Sequence, residues 1–223
     1  MKEICVFLCD KTGIMAEPWA QAGYECWCVD LQHSVRTNKV KNYPLTGGRI
    51  IFTYGDARYW TPPTKRRVIF LAAFPVCTDM AGSGSQDFSN KNGRIPKKGI
   101  PQLCDGLLLF NACYFAGAWS GAPFACENPS GVIPTHFRKA DYTFHPWQYG
   151  DGYQKRTCLW TGNGFIMPPS TVAVKPPETT QKIWDMSPGP DRANERSKTP
   201  AGFARAVFEA NKPKVEESIL NNY

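Results

Sequence analysis

Val68-Ile69-Phe70-Leu71-Ala72-Ala73-Phe74-Pro75-Val76-Cys77-Thr78 is the stretch on which the reading of this chain turns. Seven apolar residues in succession read as a strand buried on both faces. Pro75 stops the run, and a cysteine follows two residues later. A thiol is thereby set on the loop that leaves the carboxyl end of a strand. In open α/β sheets, ligands bind in the crevice at that edge. A second apolar run, Pro123-Phe124-Ala125-Cys126, delivers Glu127-Asn128-Pro129 in the same manner. A thiol and a carboxylate at two strand ends suit a nucleophile and its acid/base partner on one small substrate.

The flanking sequence repeats the pattern. Glu3 to Cys9 reads as a strand, Ile14 to Ala22 as a helix ended by Gly23, and Tyr24 to Val29 as a strand ending at Asp30. Gln32 to Gly48 is polar and reads as loop. Arg49 to Thr53 reads as a third strand, followed by Gly55-Asp56. Residues 79–97 are rich in Gly, Ser, Asn and Lys and read as a mobile loop. Pro101 to Ser120 reads as a long apolar helix, and Phe144 to Trp160 holds further strand-like pieces. Strands alternating with helices predict an α/β fold with a doubly wound, mostly parallel sheet. Residues 161–190 are proline-rich, with Pro168-Pro169 and Pro176-Pro177, and read as an extended surface insert. Phe203, Ala204, Val207 and Phe208 recur at helical spacing within a last helix from Ala201 to Asn211.

Composition narrows the class. With 223 residues and 42% hydrophobic content the chain can bury a sizeable core. No apolar stretch reaches the ~20 residues of a membrane helix. The first residues go directly into a strand without the pattern of a signal peptide, so a cytoplasmic protein is expected, in a bacterial or phage-infected cell. The nine cysteines are odd in number and several, among them Cys5, Cys26, Cys28 and Cys126, lie in strand-like runs. Reduced, mostly buried thiols are expected rather than disulfides. Cys26-Trp27-Cys28 is not a zinc spacing, and no metal site is expected. The net charge of +7 suits either a polyanionic partner or a basic solvated surface. Lys97 and Lys98 form one of several scattered basic clusters that would contact a phosphate backbone at separate points. Arg138 and Lys139, near Phe144, Trp147 and Tyr149, would combine phosphate contacts with stacking.

Individual residues carry separate expectations. Asp10-Lys11-Thr12-Gly13 lies between the first strand and helix, where a cofactor loop would sit; there Gly13 either admits a ligand to the backbone or merely turns the chain. Asp30 at a strand end suits a ribose hydroxyl pair or a helix cap. Asp56 would contact an adenine or amino group in the same cleft. Cys77 is either a nucleophile or a small buried hydrophobe. Arg156, at the start of the run Thr157-Cys158-Leu159-Trp160, would support Glu127 or a substrate carbonyl, or else form a surface ion pair.

In order, these pieces resemble the cytosine-5 DNA methyltransferase family, in particular short phage and prophage members. Phe7 to Gly13 with Ala22-Gly23-Tyr24 looks like its first cofactor motif, and Gly55-Asp56 like its third. Phe74-Pro75-Val76-Cys77 resembles the Pro-Cys nucleophile motif, Glu127-Asn128 the Glu-Asn motif, and Gln154-Lys155-Arg156 the Gln-x-Arg motif. Arg196 to Asn211 resembles the closing segment. The resemblance implies a class I methyltransferase fold in one domain: a core over residues 1–160, a reduced recognition insert over 161–195 and a closing helix over 196–212. It implies S-adenosylmethionine as cofactor, with Asp10, Thr12, Gly13, Asp30, Asp56 and Pro75 around it. It implies DNA as partner, and methyl transfer to carbon 5 of cytosine by Cys77, Glu127 and Arg156. The chain departs from the family at three places: one glycine survives in the first motif, Val76 separates Pro75 from Cys77, and Cys158 stands where a second arginine is expected. Two alternatives stay open: a protein of this fold that binds nucleic acid or a nucleotide without methylating, and an enzyme of this fold acting on free nucleotides or RNA. A homo-oligomer or a separate recognition subunit would supply what the short insert lacks.

Overall fold

β1 (Lys2–Leu8) is the strand from which the sheet is wound, because its alternating side chains feed two cores. Cys5 and Phe7 point to one face, Ile4, Val6 and Leu8 to the other, and all five are essentially inaccessible to solvent. The computed structural model describes residues 1–82, 87–88, 95–181, 186 and 192–214. Within them, eight strands form one sheet: β1, β2 (Glu25–Asp30), β3 (Lys39–Tyr43), β4 (Gly48–Tyr54), β5 (Arg66–Ala73), β6 (Phe124–Pro129), β7 (Tyr142–Phe144) and β8 (Thr157–Gly162). Their order is β3-β4-β2-β1-β5-β6-β8-β7. The five strands β4, β2, β1, β5 and β6 are mutually parallel. β3 runs antiparallel to β4, and β8 antiparallel to both β6 and β7. The protein is thus α/β with a mostly parallel sheet, as the alternating pattern predicts.

The chain fills one side of β1 with β2 and β4 and then crosses to β5 on the other side. At that reversal the loops after β1 and β5 leave in opposite directions and open a crevice. Backbone bonds hold its floor together. Leu8 pairs with Ala73, Ala73 with Cys126, and Phe74 donates its N–H to the Leu8 carbonyl at 2.9 Å. All the parallel strands present their carboxyl ends at this edge.

Helices cover the two faces unequally. On one face lie α1 (Glu17–Gln21) and the last helix, α5 (Ala201–Asn211). Trp19 of α1 is fully buried; it stacks on Phe70 with centroids 4.4 Å apart and meets Phe208 of α5 edge-on. On the other face lies α2 (Ile100–Ser120), which turns Phe110 and Cys113 inward. Gly117 lets α2 approach the sheet: a β-carbon there would sit 2.4 Å from the Phe124 ring. Residues 31–65 contain no α-helix, so Trp27 and Trp60, with rings 6.2 Å apart, do part of the covering that a crossover helix would do. Two short helices, α3 (Ile133–His136) and α4 (Arg192–Ser197), complete the described α-helices.

The polar stretch expected to be loop contains β3. It is an exposed edge strand rich in Lys and Asn, so it lacks the apolar alternation that marks a half-buried strand. α1 starts at Glu17 rather than Ile14, because Asp10 to Ala16 form turns and the Glu17 N–H bonds back to the Gly13 carbonyl. The pieces between Phe144 and Trp160 resolve into the end of β7, a 3₁₀ turn over Pro146–Tyr149 and most of β8. The proline-rich insert is described up to residue 181 and at 186. It lies against the 3₁₀ turn through Tyr149 Oη donating to the Pro168 carbonyl and the Thr171 N–H donating to Gln148. Residues 182–185 and 187–191 of that insert lie outside the described residues. So does most of the loop expected over 79–97, whose described ends are 79–82, 87–88 and 95–97.

Candidate active site

A cleft of about 130 Å³ opens at the crevice between β1 and β5. Its walls come from the loop after β1, the end of β2, the loop after β5, the end of β6, Lys155 ahead of β8, and α4 with Thr199. Cys77, Glu127, Asp10, Thr12, Asp30 and Pro75 all line it, so six of the expected site residues meet in one place.

The Cys77 loop is fixed from both sides. The Cys77 carbonyl accepts from the N–H groups of Met80 and Ala81 at 3.0 and 2.8 Å, which makes a single helical turn. That turn is laced to the segment after β6: Gly82 N–H donates to the Ser130 carbonyl, Val132 N–H to the Met80 carbonyl, and Ala81 bridges Gly131. Only glycine fits at Gly131, since a β-carbon would lie 1.9 Å from the Met80 carbonyl oxygen. Asn128 is fully buried and donates Nδ2–H to the Pro75 carbonyl at 2.9 Å, so the Glu-Asn segment anchors the loop that carries the thiol. Burial pushes the Cys77 thiol above its ordinary value, and the nearby Glu127 charge adds to the effect; Lys155 and Arg196 oppose it.

Glu127 stands in β6, the strand next to β5. Its Oε1 is buried without a hydrogen-bond donor among the described residues, and the Lys155 ammonium lies 3.5 Å away. Both side chains are about one-sixth exposed, 15% and 16%. Lys155 and Lys11 both line the cleft, and Lys155 is the one paired with Glu127. Arg156, expected there from the Gln-x-Arg pattern, is instead exposed and does not line the cleft. The two are consecutive in sequence next to β8, where neighbouring side chains point to opposite sides.

The loop after β1 is held by Asp10. The carboxylate is 4% exposed; Oδ1 accepts from Thr12 N–H at 2.9 Å, Gly13 N–H at 2.8 Å and Thr12 Oγ1 at 3.1 Å. Burial raises its pKa, against the pull of those hydrogen bonds. Asp10 therefore shapes the turn, leaving Thr12 and the neighbouring backbone to face the cleft. Gly13 does not line the cleft. It has φ +72, and a β-carbon would meet the Phe52 ring at 2.8 Å, so its glycine serves the turn and the packing of β4. Asp30 does face the cleft, with Oδ1 accepting the Gln32 N–H at 2.7 Å.

Asp56 lies outside the cleft. It is clamped by the Arg58 guanidinium, which holds its carboxyl below the ordinary range and also bonds Asp105 of α2. It ties the turn after β4 to α2. The basic residues divide in two. Lys98 is paired with Asp79 at 2.8 Å and donates to the Thr78 carbonyl, and Arg138 is engaged by Asp141, Tyr114 and the Thr161 carbonyl. Lys97 and Lys139 are exposed. All nine cysteines are free thiols, and six of them, Cys5, Cys26, Cys28, Cys113, Cys126 and Cys158, are buried. Among the described residues no helix is long and apolar enough to cross a membrane. Neither a protein-family model nor a curated relative matches the chain.

Proposed function

We propose that this chain is a class I, S-adenosylmethionine-dependent methyltransferase. Within that class, the reading that its site supports best is transfer of a methyl group to carbon 5 of cytosine in DNA. The observation that carries it is the meeting of Cys77 and Glu127 in one cleft at the sheet's reversal, opposite Thr12 and Asp30. Adjacent strands lie about 4.8 Å apart, so groups at the ends of β5 and β6 can flank one six-membered ring.

The residues present suit the cofactor. Asp30, with one carboxylate oxygen engaged by Gln32, offers the other to a ribose hydroxyl pair. Pro75 and Thr12 border the space between it and Cys77. When bound, S-adenosylmethionine supplies an electrophilic methyl on a sulfonium. Carbon 5 of cytosine is a poor nucleophile, and the protein's part is to activate it. The Cys77 thiolate adds to carbon 6, and the displaced electron pair makes carbon 5 nucleophilic. Glu127 hydrogen-bonds the pyrimidine edge and holds a proton at the ring nitrogen. After transfer, a water molecule takes the carbon 5 proton, the freed electron pair restores the double bond and expels Cys77 as its thiolate, and the ring nitrogen returns its proton to Glu127. Lys155 offsets the charge of Glu127 and favours the thiolate. A base inside a duplex must leave the stack to reach this cleft.

One observation favours a second reading. Burial and the Glu127 charge hold the Cys77 thiol high, which suits a protein of this fold that binds a nucleotide or nucleic acid without methylating. Tritiated S-adenosylmethionine, protein and DNA, followed by digestion to nucleosides, separates the readings. Label in 5-methyldeoxycytidine is expected. Label only when RNA or mononucleotides are supplied shifts the substrate, and cofactor binding without transfer supports the second reading.

A further inference from the structure

Cys9 follows β1 directly and has φ +55, in the left-handed region that residues with a side chain rarely enter. Glycine would take that turn freely. The chain instead sets a thiol there, and its Sγ lies 3.9 Å from Sγ of Cys113, on the inward face of α2. The two thiols differ in access. Cys9 is half-buried and lines the cleft with Lys11, one residue before Asp10, whereas Cys113 is inaccessible to solvent. Cys5 and Cys26 also oppose each other, across β1 and β2, but both of them are inaccessible, so an oxidant in solution has no path to either.

We infer that Cys9 and Cys113 form a reversible disulfide when a hydroperoxide enters the cleft, and that this bond resets the loop after β1. The accessible thiol reacts first. The Cys9 thiolate attacks one peroxide oxygen; a sulfur–oxygen bond forms, the oxygen–oxygen bond breaks, and the departing oxygen takes up a proton. Cys9 is then a sulfenic acid, its sulfur oxidised, and the peroxide is reduced to an alcohol or water. Cys113 attacks that sulfur. The disulfide forms, the sulfur–oxygen bond breaks, and hydroxide leaves with the Cys113 proton as water. Contact with Cys9 and burial hold the Cys113 thiol well above its ordinary value, so it keeps its proton until the sulfenic acid stands beside it. Closing the bond has a direction. Sulfurs 3.9 Å apart must come to about 2.05 Å. Cys113 belongs to a long helix seated on the sheet where Gly117 meets Phe124, while Cys9 belongs to a turn, so the turn moves. It draws Asp10 towards α2 and loosens the carboxylate's hold on the Thr12 and Gly13 N–H groups, which stand 2.9 and 2.8 Å from it. The shape of the cleft thereby follows the redox state of its surroundings, whatever ligand the cleft takes.

The test uses the full chain carrying Cys104→Ser, which removes the exposed thiol. It is treated with hydrogen peroxide, blocked with N-ethylmaleimide and mapped by peptide mass spectrometry without reduction. A peptide pair joined through Cys9 and Cys113, and separated by dithiothreitol, is expected, with Cys5 and Cys26 unjoined. Hydrogen–deuterium exchange at Thr12 and Gly13 should run about tenfold faster in the oxidised form and return to its starting rate on reduction. In Cys113→Ala, Cys9 lacks its resolving partner and should accumulate as the sulfinic acid, which dithiothreitol does not reverse. Cys9→Ala should show no change in exchange on peroxide treatment. Cys9 left reduced in the treated protein, Cys9 joined to Cys77 across the cleft, or a Cys9–Cys113 bond with unchanged exchange at Thr12 and Gly13 overturns the inference.

Discussion

Replacing Lys155 by Met tests the electrostatic logic of the cleft. The ammonium is 3.5 Å from Glu127 Oε1, and both groups are mostly buried. At that distance and an effective dielectric of about 20, the direct attraction is about 5 kcal/mol. Desolvation of both ions and the open cleft offset much of this. Removing one member of a well-buried pair costs ~3–5 kcal/mol, and the residual exposure here reduces the expected loss to about 2 kcal/mol. Lys155→Met should lower the urea-unfolding free energy by that amount. Glu127→Gln removes the charge that Lys155 answers, so the double variant should recover part of the loss, with a coupling of about 1–2 kcal/mol. The same pair acts on Cys77 in opposite directions. Without Lys155 the thiol is held higher, and iodoacetamide should modify it more slowly than in the parent at every pH from 7 to 9. With Glu127→Gln it should be modified faster, because burial remains but the adjacent negative charge is gone. Peptide mapping of the alkylated protein isolates Cys77 from the exposed Cys104. Additive stabilities to within ~0.3 kcal/mol, together with unchanged alkylation rates, would refute the pairing.

Cys77→Ser should abolish methyl transfer while leaving cofactor affinity near that of the parent, and DNA carrying 5-fluorocytosine should form a covalent adduct with the parent only. Asp30→Ala should weaken S-adenosylmethionine binding by ~1.5–3 kcal/mol in calorimetry, through loss of a charged acceptor; an unchanged affinity would move the ribose site elsewhere. Gly131→Ala should cost at least about 2 kcal/mol in urea unfolding, because the β-carbon meets the Met80 carbonyl. Glu25 sets an acid limit. Burial disfavours its charge, but hydrogen bonds from Lys2, Trp27 and Arg49 prevail and bring the carboxyl from 4.5 to about 2. A depressed carboxyl stabilises fully above its unfolded value, so about 3 kcal/mol should be lost as pH falls from about 4.5 towards 2, and Glu25→Gln should flatten that slope in unfolding curves.

The apolar runs at Val68 to Phe74 and Pro123 to Cys126 were legible because strands buried on both faces leave an unbroken hydrophobic signal. From them, the positions of Cys77 and Glu127 at one sheet edge followed. β3 was not legible, since its lysines and asparagine carry the signature of loop and only pairing with β4 makes it a strand. Gly13 and Asp56 stand where a cofactor loop and a strand end would be expected. Their local partners, the Phe52 ring and the Arg58 guanidinium, come from packing that motif order does not encode. Lys155 escaped notice for the opposite reason. The Gln-x-Arg pattern drew attention to Arg156, and only the direction of each side chain ahead of β8 sets Lys155 rather than Arg156 at the cleft. Gly131 carried no signal at all, because its constraint comes from a carbonyl about fifty residues away in sequence.

The sheet's two margins have a consequence for how this protein can aggregate. An unpaired strand invites another chain to extend the sheet. Here one margin is β3, with Lys39 and Lys41 flanking Val40 and all three side chains exposed; the other is β7, only three residues long. Lysines on a strand resist the approach of a second basic molecule, and a three-residue margin offers too few backbone groups to template a ribbon. Fibrillar growth by strand addition is therefore disfavoured at both ends. Partial unfolding that peels β3 from β4 would remove that safeguard and bare Ile50 and Ile51 as a fresh template, so thioflavin-positive aggregation should appear only where the hairpin melts before the parallel core.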